Sequence, residues 1–190
     1  MTLSQVTPSD AASKKQATAT FAGGCFWCLQ PRFDKLPGVI STSVGYTGGH
    51  IQNPTYDQVC SGRTGHLEAI QVVYNPSKLA YDKLLDTFWK IIDPTQVDGQ
   101  FADKGTQYQT AIFFHSEEQR TMAEKSKVAL GQSGKFKKPI VTTIRPAVEF
   151  FHAEEYHQKF YQKSPEHYQA YSVGSGRHAF VCHLWGKDAE

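Results

Sequence analysis

A pair of glycines followed by two cysteines does most to restrict how this chain can fold. Residues 17–22 alternate Thr with small apolar residues, which predicts a β-strand. The sequence GGCFWC follows at positions 23–28, and helical spacing of apolar residues continues to about Lys35, before Pro37 and Gly38. We therefore predict that Cys25 lies at the turn where a strand ends and a helix begins.

The position of Cys25 and Cys28 indicates reactive thiols but does not identify their chemistry. A helix start offers unpaired N–H groups and a positive dipole end, so we expect a lowered pKa for Cys25. Cys28 lies three residues further along the same helical face, within reach for a disulfide. The alternatives are a buried core pair, which the two glycines disfavour, a zinc site, and redox chemistry. Zinc needs two further ligands, and the adjacent Cys182 and His183 fit one metal poorly. The spacing does not separate thioredoxin-like exchange from a substrate-reducing thiol.

The rest of the chain predicts an α+β fold with long loops. Ser116 is a plausible N-cap, with Gln119 completing a capping box, and Pro146 favours an edge or a break in its strand. The pattern does not assign the segment after Ser164. The other predicted elements are strands at 39–46, 66–74 and 108–115, helices at 81–92, 116–131 and 154–163, an extended stretch at 141–150, and loops at 47–65 and 93–106.

Length and composition favour one ordered domain. The 190 residues carry 39% hydrophobic side chains and a formal net charge of +2. We predict a flexible tail at residues 1–16 and a single catalytic domain at 17–190. A scattered, nearly balanced charge gives no support for a nucleic-acid or membrane partner. The polar start lacks an apolar signal region, so we expect a cytoplasmic protein with reduced thiols.

Several blocks of sequence resemble the A-type methionine sulfoxide reductases. The first is Gly-Cys-Phe-Trp at positions 24–27, and the others follow in family order over about residues 18–163. These other blocks are SVGYTGG at 43–49, NPTY at 53–56, VCSG at 59–62, GHLEA at 65–69, DKGTQY at 103–108 and AEEYHQ at 153–158.

The resemblance implies a role for each matching residue and a two-layer α/β sandwich with a ferredoxin-like mixed sheet. Cys25 matches the nucleophile, and Glu68 matches the acid that hydrogen-bonds the sulfoxide oxygen. Tyr56 and Tyr108 match the tyrosines that share that oxygen, Asp103 matches a supporting carboxylate, and Phe26 and Trp27 match the walls of the methyl pocket.

The residue types suit this chemistry. A sulfoxide oxygen leaves only when protonated, and burial of Glu68 among Leu67, Ala69 and Ile70 would raise its pKa so that it donates a proton. From the pattern alone, Glu68 is equally an exposed strand residue, the two tyrosines are packing residues and Asp103 is a turn residue. Glu154 and His157 could approach the site or only cap a packing face.

This chain departs from the commoner family pattern in its recycling thiols. Cys28 stands where Gly is usual, so we expect Cys28 to resolve the Cys25 sulfenic acid. Cys182 is a second relay thiol or, as we favour, a bystander, and we expect Cys60 to be structural. The resemblance also implies thioredoxin as the reductant and selectivity for the S epimer in oxidised proteins and peptides, acting without a cofactor. Whether the free amino acid is also reduced stays open from the sequence. We expect a monomer.

Two other functions are weighed against the reductase. A general thiol–disulfide oxidoreductase would use Cys25 and Cys28 but would need no acid at Glu68. A binding module for a methyl-bearing side chain would not need the Cys25 thiol.

Overall fold

The computed structural model describes residues 16–186, in eight strands and seven helices. Residues 1–15, nearly all of the predicted tail, lie outside the described residues. In chain order the elements are β1 (Ala17–Gly23), α1 (Phe26–Asp34), β2 (Val39–Thr47), α2 (Tyr56–Cys60), β3 (Leu67–Tyr74), α3 (Tyr81–Lys90), β4 (Gly99–Gln100), β5 (Asp103–Lys104), β6 (Thr110–Phe114), α4 (Glu117–Gln132), β7 (Thr143–Pro146), β8 (Phe150–His152), α5 (Phe160–Lys163), α6 (Pro165–Gly174) and α7 (Arg177–Trp185).

Six strands form one mixed sheet in the order β7-β6-β1-β3-β2-β8. All neighbouring strands are antiparallel except β6 and β7, which are parallel. Strands β4 and β5 form a separate small hairpin. The α+β class and the mixed sheet predicted for the chain are confirmed.

The main core lies between the sheet and the helices, because alternate strand residues point to one face. Phe21 on β1 stacks between Phe33 of α1, at 5.3 Å between ring centroids, and Phe88 of α3, at 5.0 Å. A smaller apolar cluster covers the opposite face of the sheet: Ala22, Leu67, Ala69, Ala111 and Phe113. Truncation of a core Phe such as Phe21 costs about 3–5 kcal/mol, so this stacking fixes β1 and the start of α1 that follows it.

Both predicted loops contain regular structure. Within 47–65, Thr55 caps α2 by accepting from the Gln58 backbone N–H, and the Gln58 side chain accepts from the Thr55 N–H. Within 93–106, β4 and β5 pair through Gln100 and Asp103. Elements of five and two residues are too short to produce a readable hydrophobic period, which is why they were not predicted.

The predicted extended stretch at 141–150 is two strands at opposite edges of the sheet. Strand β7 pairs with β6, and its Pro146 lies on an edge strand, as predicted. Strand β8 pairs with β2 at the far edge. The intervening residues cross the sheet, so no single strand could span this stretch.

The helix predicted at 154–163 is divided, and the segment after it is helical. A 3-10 turn at Glu155–His157 is followed by α5, and Lys159 between them has a left-handed φ of +53°. The unassigned segment forms α6 and α7.

The predicted cap of α4 is correct in one half only. The Ser116 hydroxyl accepts from the Gln119 backbone N–H at 3.2 Å. The Gln119 side chain, however, accepts from the backbone N–H of His115 rather than from that of Ser116. The described residues include no helix long and apolar enough to cross a bilayer.

Candidate active site

Cys25 lies where two consecutive glycines turn the chain from β1 into α1. Gly24 has a φ of +80°, and a Cβ there would lie 2.5 Å from the Cβ of Gln100. A Cβ on Gly23 would lie 2.8 Å from the Ile92 side chain. Only glycines therefore allow this close packing, and Cys25 becomes the N-cap residue of α1, at the predicted turn.

The Cys25 thiol is almost fully removed from water, with 8% of the residue exposed. Burial raises its pKa well above the ordinary thiol value, as do the charges of Glu68 and Cys28, and a hydrogen bond with Tyr171 only partly opposes them. The lowered pKa predicted from the helix start is therefore wrong, because burial and the neighbouring negative charges both disfavour the thiolate. Cys25 is a neutral thiol at pH 7.

The Glu68 side chain lies beside Cys25 and extends from β3, the strand next to β1. It lies on the helix-facing side of β3, opposite Tyr46 of β2, and only 1% of it is exposed. Its Oε2 accepts a hydrogen bond of 3.1 Å from the backbone N–H of Phe26, the residue after Cys25. Burial raises the pKa of Glu68 to about 8, opposed by the Phe26 N–H and assisted by Asp103. The carboxyl is therefore protonated at neutral pH.

Tyr56 and Tyr108 are also part of this cluster. Tyr56 begins α2, and Tyr108 ends a 3-10 turn at Thr106–Tyr108. Burial raises the pKa of both phenols, and the charge of Glu68 raises both further, so each stays a hydrogen-bond donor. Burial raises the pKa of the Cys60 thiol, and both phenols partly oppose this rise, so Cys60 lies against the site rather than in the core alone.

Asp103 is linked to Cys25 through a residue that sequence reasoning missed. The hydroxyl of Tyr171, on α6, donates to Asp103 Oδ2 at 2.5 Å. The same phenol acts on the Cys25 thiol, where it partly opposes the rise of the thiol pKa. Tyr171 belongs to the segment that the pattern did not assign, and its only sequence signal is the aromatic content of that segment.

Phe26 and Trp27 form an aromatic surface beside Cys25. Phe26 is buried, and its ring centroid lies 5.0 Å from that of His157. Trp27 is partly exposed and stacks on Phe160 at 3.8 Å. The Trp27 Nε1–H donates to His157 Nδ1 at 3.0 Å, which fixes the indole in place.

The family model for peptide methionine sulfoxide reductases matches residues 17–189 of this sequence. The chain belongs to the peptide methionine sulfoxide reductase family. Peptide methionine sulfoxide reductase MsrA of Bacillus subtilis is 54% identical over 174 residues, covering 92% of this chain and 98% of that relative. The match confirms the resemblance predicted from the sequence blocks.

Solved structures agree with this assignment. The reduced form of Mxr1 from Saccharomyces cerevisiae superimposes with a TM-score of 0.76 and 35% identity, covering 83% of this chain and 89% of that chain. Methionine sulfoxide reductase A of Corynebacterium diphtheriae gives a TM-score of 0.70 at 35% identity, covering 80% and 76%. The sheet and helices described above are therefore those of the family.

Cys28 lies one helical turn after the family's Cys-Phe-Trp sequence begins. It is 2% exposed, and its backbone N–H donates to the carbonyl of Cys25 at 3.1 Å. Both residues are reduced in this structure, and the charge of Cys28 raises the pKa of Cys25. Cys182 lies on α7, with its sulfur 3.8 Å from His178 Nε2.

Glu154 and His157, which the sequence left between two roles, both support the site. Glu154 accepts from the Tyr46 hydroxyl at 2.7 Å and from the Tyr56 backbone N–H at 2.8 Å, so it fixes the start of α2. Burial lowers the pKa of His157 to about 4, opposed by Glu154, so its ring is neutral at pH 7. Their signal in the sequence was their place in the block at 153–158.

Proposed function

We propose that this chain reduces the S epimer of methionine sulfoxide in proteins and peptides, with Cys25 as the nucleophile. The observation that carries the proposal is Glu68, a buried carboxyl bonded to the residue after Cys25, with a pKa raised to about 8. A protonated acid beside a thiol is what removal of a sulfoxide oxygen requires.

The first step transfers oxygen from the substrate to Cys25. The Cys25 sulfur attacks the sulfoxide sulfur and forms a sulfur–sulfur bond while Glu68 gives its proton to the oxygen. The sulfur–oxygen bond of the substrate breaks, the oxygen bonds to the Cys25 sulfur as the sulfur–sulfur bond breaks, and Cys25 becomes a sulfenic acid while the thioether of methionine leaves. The proton of the Cys25 thiol returns to Glu68, so Cys25 is oxidised by two electrons, the substrate is reduced by two, and no proton is gained or lost.

Other residues hold the substrate and its developing charge. Tyr56 and Tyr108 stay protonated and lie near Glu68, so they are suited to donate to the sulfoxide oxygen. Asp103 orients the site through Tyr171. Phe26 and Trp27 supply an aromatic surface suited to an S-methyl group.

The second step regenerates the enzyme through a disulfide. The Cys28 sulfur attacks the sulfur of the Cys25 sulfenic acid, a disulfide forms and water leaves. A dithiol reductant must then open this disulfide, and we assign that role to thioredoxin. Cys182 is a bystander to this cycle.

Thiol chemistry also indicates the cellular compartment in which the protein acts. A catalytic dithiol needs a reducing compartment, which favours the cytoplasm. We propose that residues 17–190 act as one catalytic domain and as a monomer. A general thiol–disulfide exchange is less suited to this site, because it has no use for the protonated Glu68.

The test is one turnover without external reductant. Fully reduced protein is mixed with methionine-S-sulfoxide or with methionine-R-sulfoxide, and released methionine and new disulfides are measured. We expect one methionine per protein from the S epimer only, together with a Cys25–Cys28 disulfide. Release from neither epimer would refute the reductase proposal, and release from the R epimer would refute the selectivity.

Matched variants separate the thiols. Cys28→Ser should still release one methionine and should leave a sulfenic acid on Cys25, trapped by dimedone. Cys182→Ser should behave as the unsubstituted protein. A Cys25–Cys182 disulfide would keep the reaction but overturn the recycling route.

A further inference from the structure

Arg177, the first residue of α7, is a buried cation without a carboxylate partner. Only 5% of it is exposed, and across residues 16–186 no Asp or Glu oxygen lies within 4.0 Å of its guanidinium. Its Nη1 donates to the carbonyl of Ile91 at 2.5 Å, and its Nη2 donates to the carbonyl of Gly23 at 2.9 Å. Two neutral carbonyls do not offset a buried charge, so an anion beside Arg177 would be strongly stabilised.

The guanidinium is held in one position and keeps one donor unused. Its carbon lies 4.7 Å from the ring centroid of Phe101. Phe101 adopts a left-handed φ of +56°, which is uncommon for a bulky residue. The Nε–H of Arg177 is buried and has no hydrogen-bond partner in the part of the chain that the structure describes. The positive charge of Arg177 and its unpaired Nε–H are therefore held in contact with the Gly23–Gly24 turn that precedes Cys25.

Cys28 is the group beside Arg177 that can become an anion. Its thiol is 2% exposed, and it lies in the first turn of α1, directly after the Gly23–Gly24 turn whose Gly23 carbonyl the guanidinium binds. Burial raises the pKa of Cys28, and Arg177 is the strongest influence that lowers it. Two further charged groups act on this thiol: Arg32 lowers its pKa, and Asp103 raises it. The charge of Cys28 in turn raises the pKa of three neighbours, Cys25, Tyr168 and Tyr171.

We propose that Arg177 is a positioning residue for the resolving step, in which its guanidinium stabilises the Cys28 thiolate and holds that sulfur toward Cys25. This inference rests on the proposed role of Cys28. In the step, the thiolate attacks the sulfur of the Cys25 sulfenic acid. A sulfur–sulfur bond forms, the sulfur–oxygen bond breaks, and the hydroxide takes a proton and leaves as water. Cys28 is oxidised and Cys25 is reduced.

Arginine suits this role better than lysine would. Its planar fork can bind the carbonyls of Gly23 and Ile91 and still present another N–H to a sulfur, whereas an ammonium acts as a point charge. Loss of the charge should therefore change the acidity of Cys28, and not only the packing of α7.

The first test measures that acidity directly. In a protein with Cys25, Cys60 and Cys182 all changed to Ser, Cys28 is the only cysteine, and its ¹³Cβ shift is followed by NMR over a pH titration. Arg177→Met should raise the titration midpoint by about 1–2 pH units, since a nearby opposite charge shifts a pKa by that much. Arg177→Lys should raise it by less than half as much. Arg32→Met is the matched control and should give a smaller shift than Arg177→Met. An unchanged midpoint in Arg177→Met would overturn the inference.

The second test follows the two steps of one turnover in the protein with all its cysteines. Reduced protein is mixed with methionine-S-sulfoxide at pH 7 and quenched at intervals, and methionine and the Cys25–Cys28 disulfide are quantified. Each unit of raised pKa lowers the thiolate fraction tenfold but makes the thiolate more nucleophilic, so disulfide formation in Arg177→Met should be about three- to tenfold slower. Arg177→Lys should restore most of the rate.

The outcomes distinguish this inference from the proposed function. Methionine release by the unsubstituted protein without a Cys25–Cys28 disulfide would refute the role of Cys28. A disulfide that forms equally fast in Arg177→Met would refute the role of Arg177 alone. If Arg177→Met fails to fold, the Arg177→Lys and Arg177→Gln proteins decide, since the inference requires the higher Cys28 midpoint in the uncharged Gln variant.

Discussion

Glu68→Gln should make the protein more stable while it removes the catalytic acid. The folded protein holds the Glu68 pKa at about 8, against an ordinary value of 4.5. Between these two values the unfolded chain loses its proton while the folded chain keeps it. The folded state thus binds more protons, and the free energy of unfolding falls as pH rises through this window. Gln is neutral and of similar shape, and its oxygen can still accept from the Phe26 N–H.

The expected size follows from the same two values. In the unfolded chain the Glu68 carboxyl has its ordinary pKa of 4.5, so pH 7 lies 2.5 units above that pKa. At about 1.36 kcal/mol per unit, Glu68→Gln should raise the free energy of unfolding by about 3 kcal/mol at pH 7. The gain should be about 1 kcal/mol at pH 5 and about 4 kcal/mol at pH 8. Titrations of other groups are shared by both proteins and cancel in the difference.

Urea unfolding at pH 5, 6, 7 and 8 under reducing conditions measures this difference. Glu154→Gln is the matched control, because it should lower the free energy of unfolding rather than raise it. Burial alone would raise the Glu154 pKa, but hydrogen bonds, chiefly from the Tyr56 N–H, lower it overall. Glu154 therefore stabilises the fold above its unfolded pKa, and this contribution disappears as pH falls. A stability difference between Glu68→Gln and the unsubstituted protein that stays constant from pH 5 to pH 8 would refute a buried, neutral Glu68.

Three further substitutions test the frame around the site. Gly45→Ala places a Cβ 2.2 Å from a β8 carbonyl oxygen and should lower the free energy of unfolding in urea by at least about 1–3 kcal/mol. Gly131→Ala is the control, because its Cβ would lie 3.8 Å from the nearest neighbour, and it should be neutral or stabilising. Equal effects of the two substitutions would contradict the pairing of β2 with β8. Asp34→Asn weakens the part-buried ion pair with Lys159 at 2.5 Å and should lower the free energy of unfolding by about 1–3 kcal/mol. Asp86→Asn, in an exposed pair with Lys90, should change it by less than about 1 kcal/mol. A larger loss for Asp86→Asn in thermal unfolding would refute this ranking. His157→Phe leaves the neighbouring indole N–H without its acceptor and should cost about 1–3 kcal/mol, and unchanged urea unfolding would show that this bond is not made.

The sequence predicts the parts of the site that depend on local pattern. Gly23 and Gly24 between a strand and a helix place Cys25, and the structure has this turn. The apolar neighbours of Glu68 are compatible with a buried carboxyl but equally with an exposed strand residue, so only the family resemblance selected Glu68, which the structure buries.

The parts that depend on distant segments could not be predicted from local pattern. Tyr171 and Arg177 reach the site from helices with mixed polarity and few buried residues, so no hydrophobic face indicates where they pack. The direction of the Cys25 pKa shift depends on how completely the thiol is buried, which a helix start alone does not reveal. Cys60 shares helix α2 with Tyr56, but it approaches Tyr108 only because two distant segments fold toward each other.

Burial of both thiols sets the proton stoichiometry of the reaction. Because burial raises the pKa of Cys25 and of Cys28, each sulfur still carries its hydrogen at pH 7. Reduction of a sulfoxide to a thioether and water consumes two hydrogens, and oxidation of two thiols to a disulfide supplies two. A single turnover therefore takes no proton from the solvent and releases none. A weakly buffered solution should keep its pH throughout, and the equilibrium between sulfoxide and thioether should not change with pH until the thiols begin to ionise.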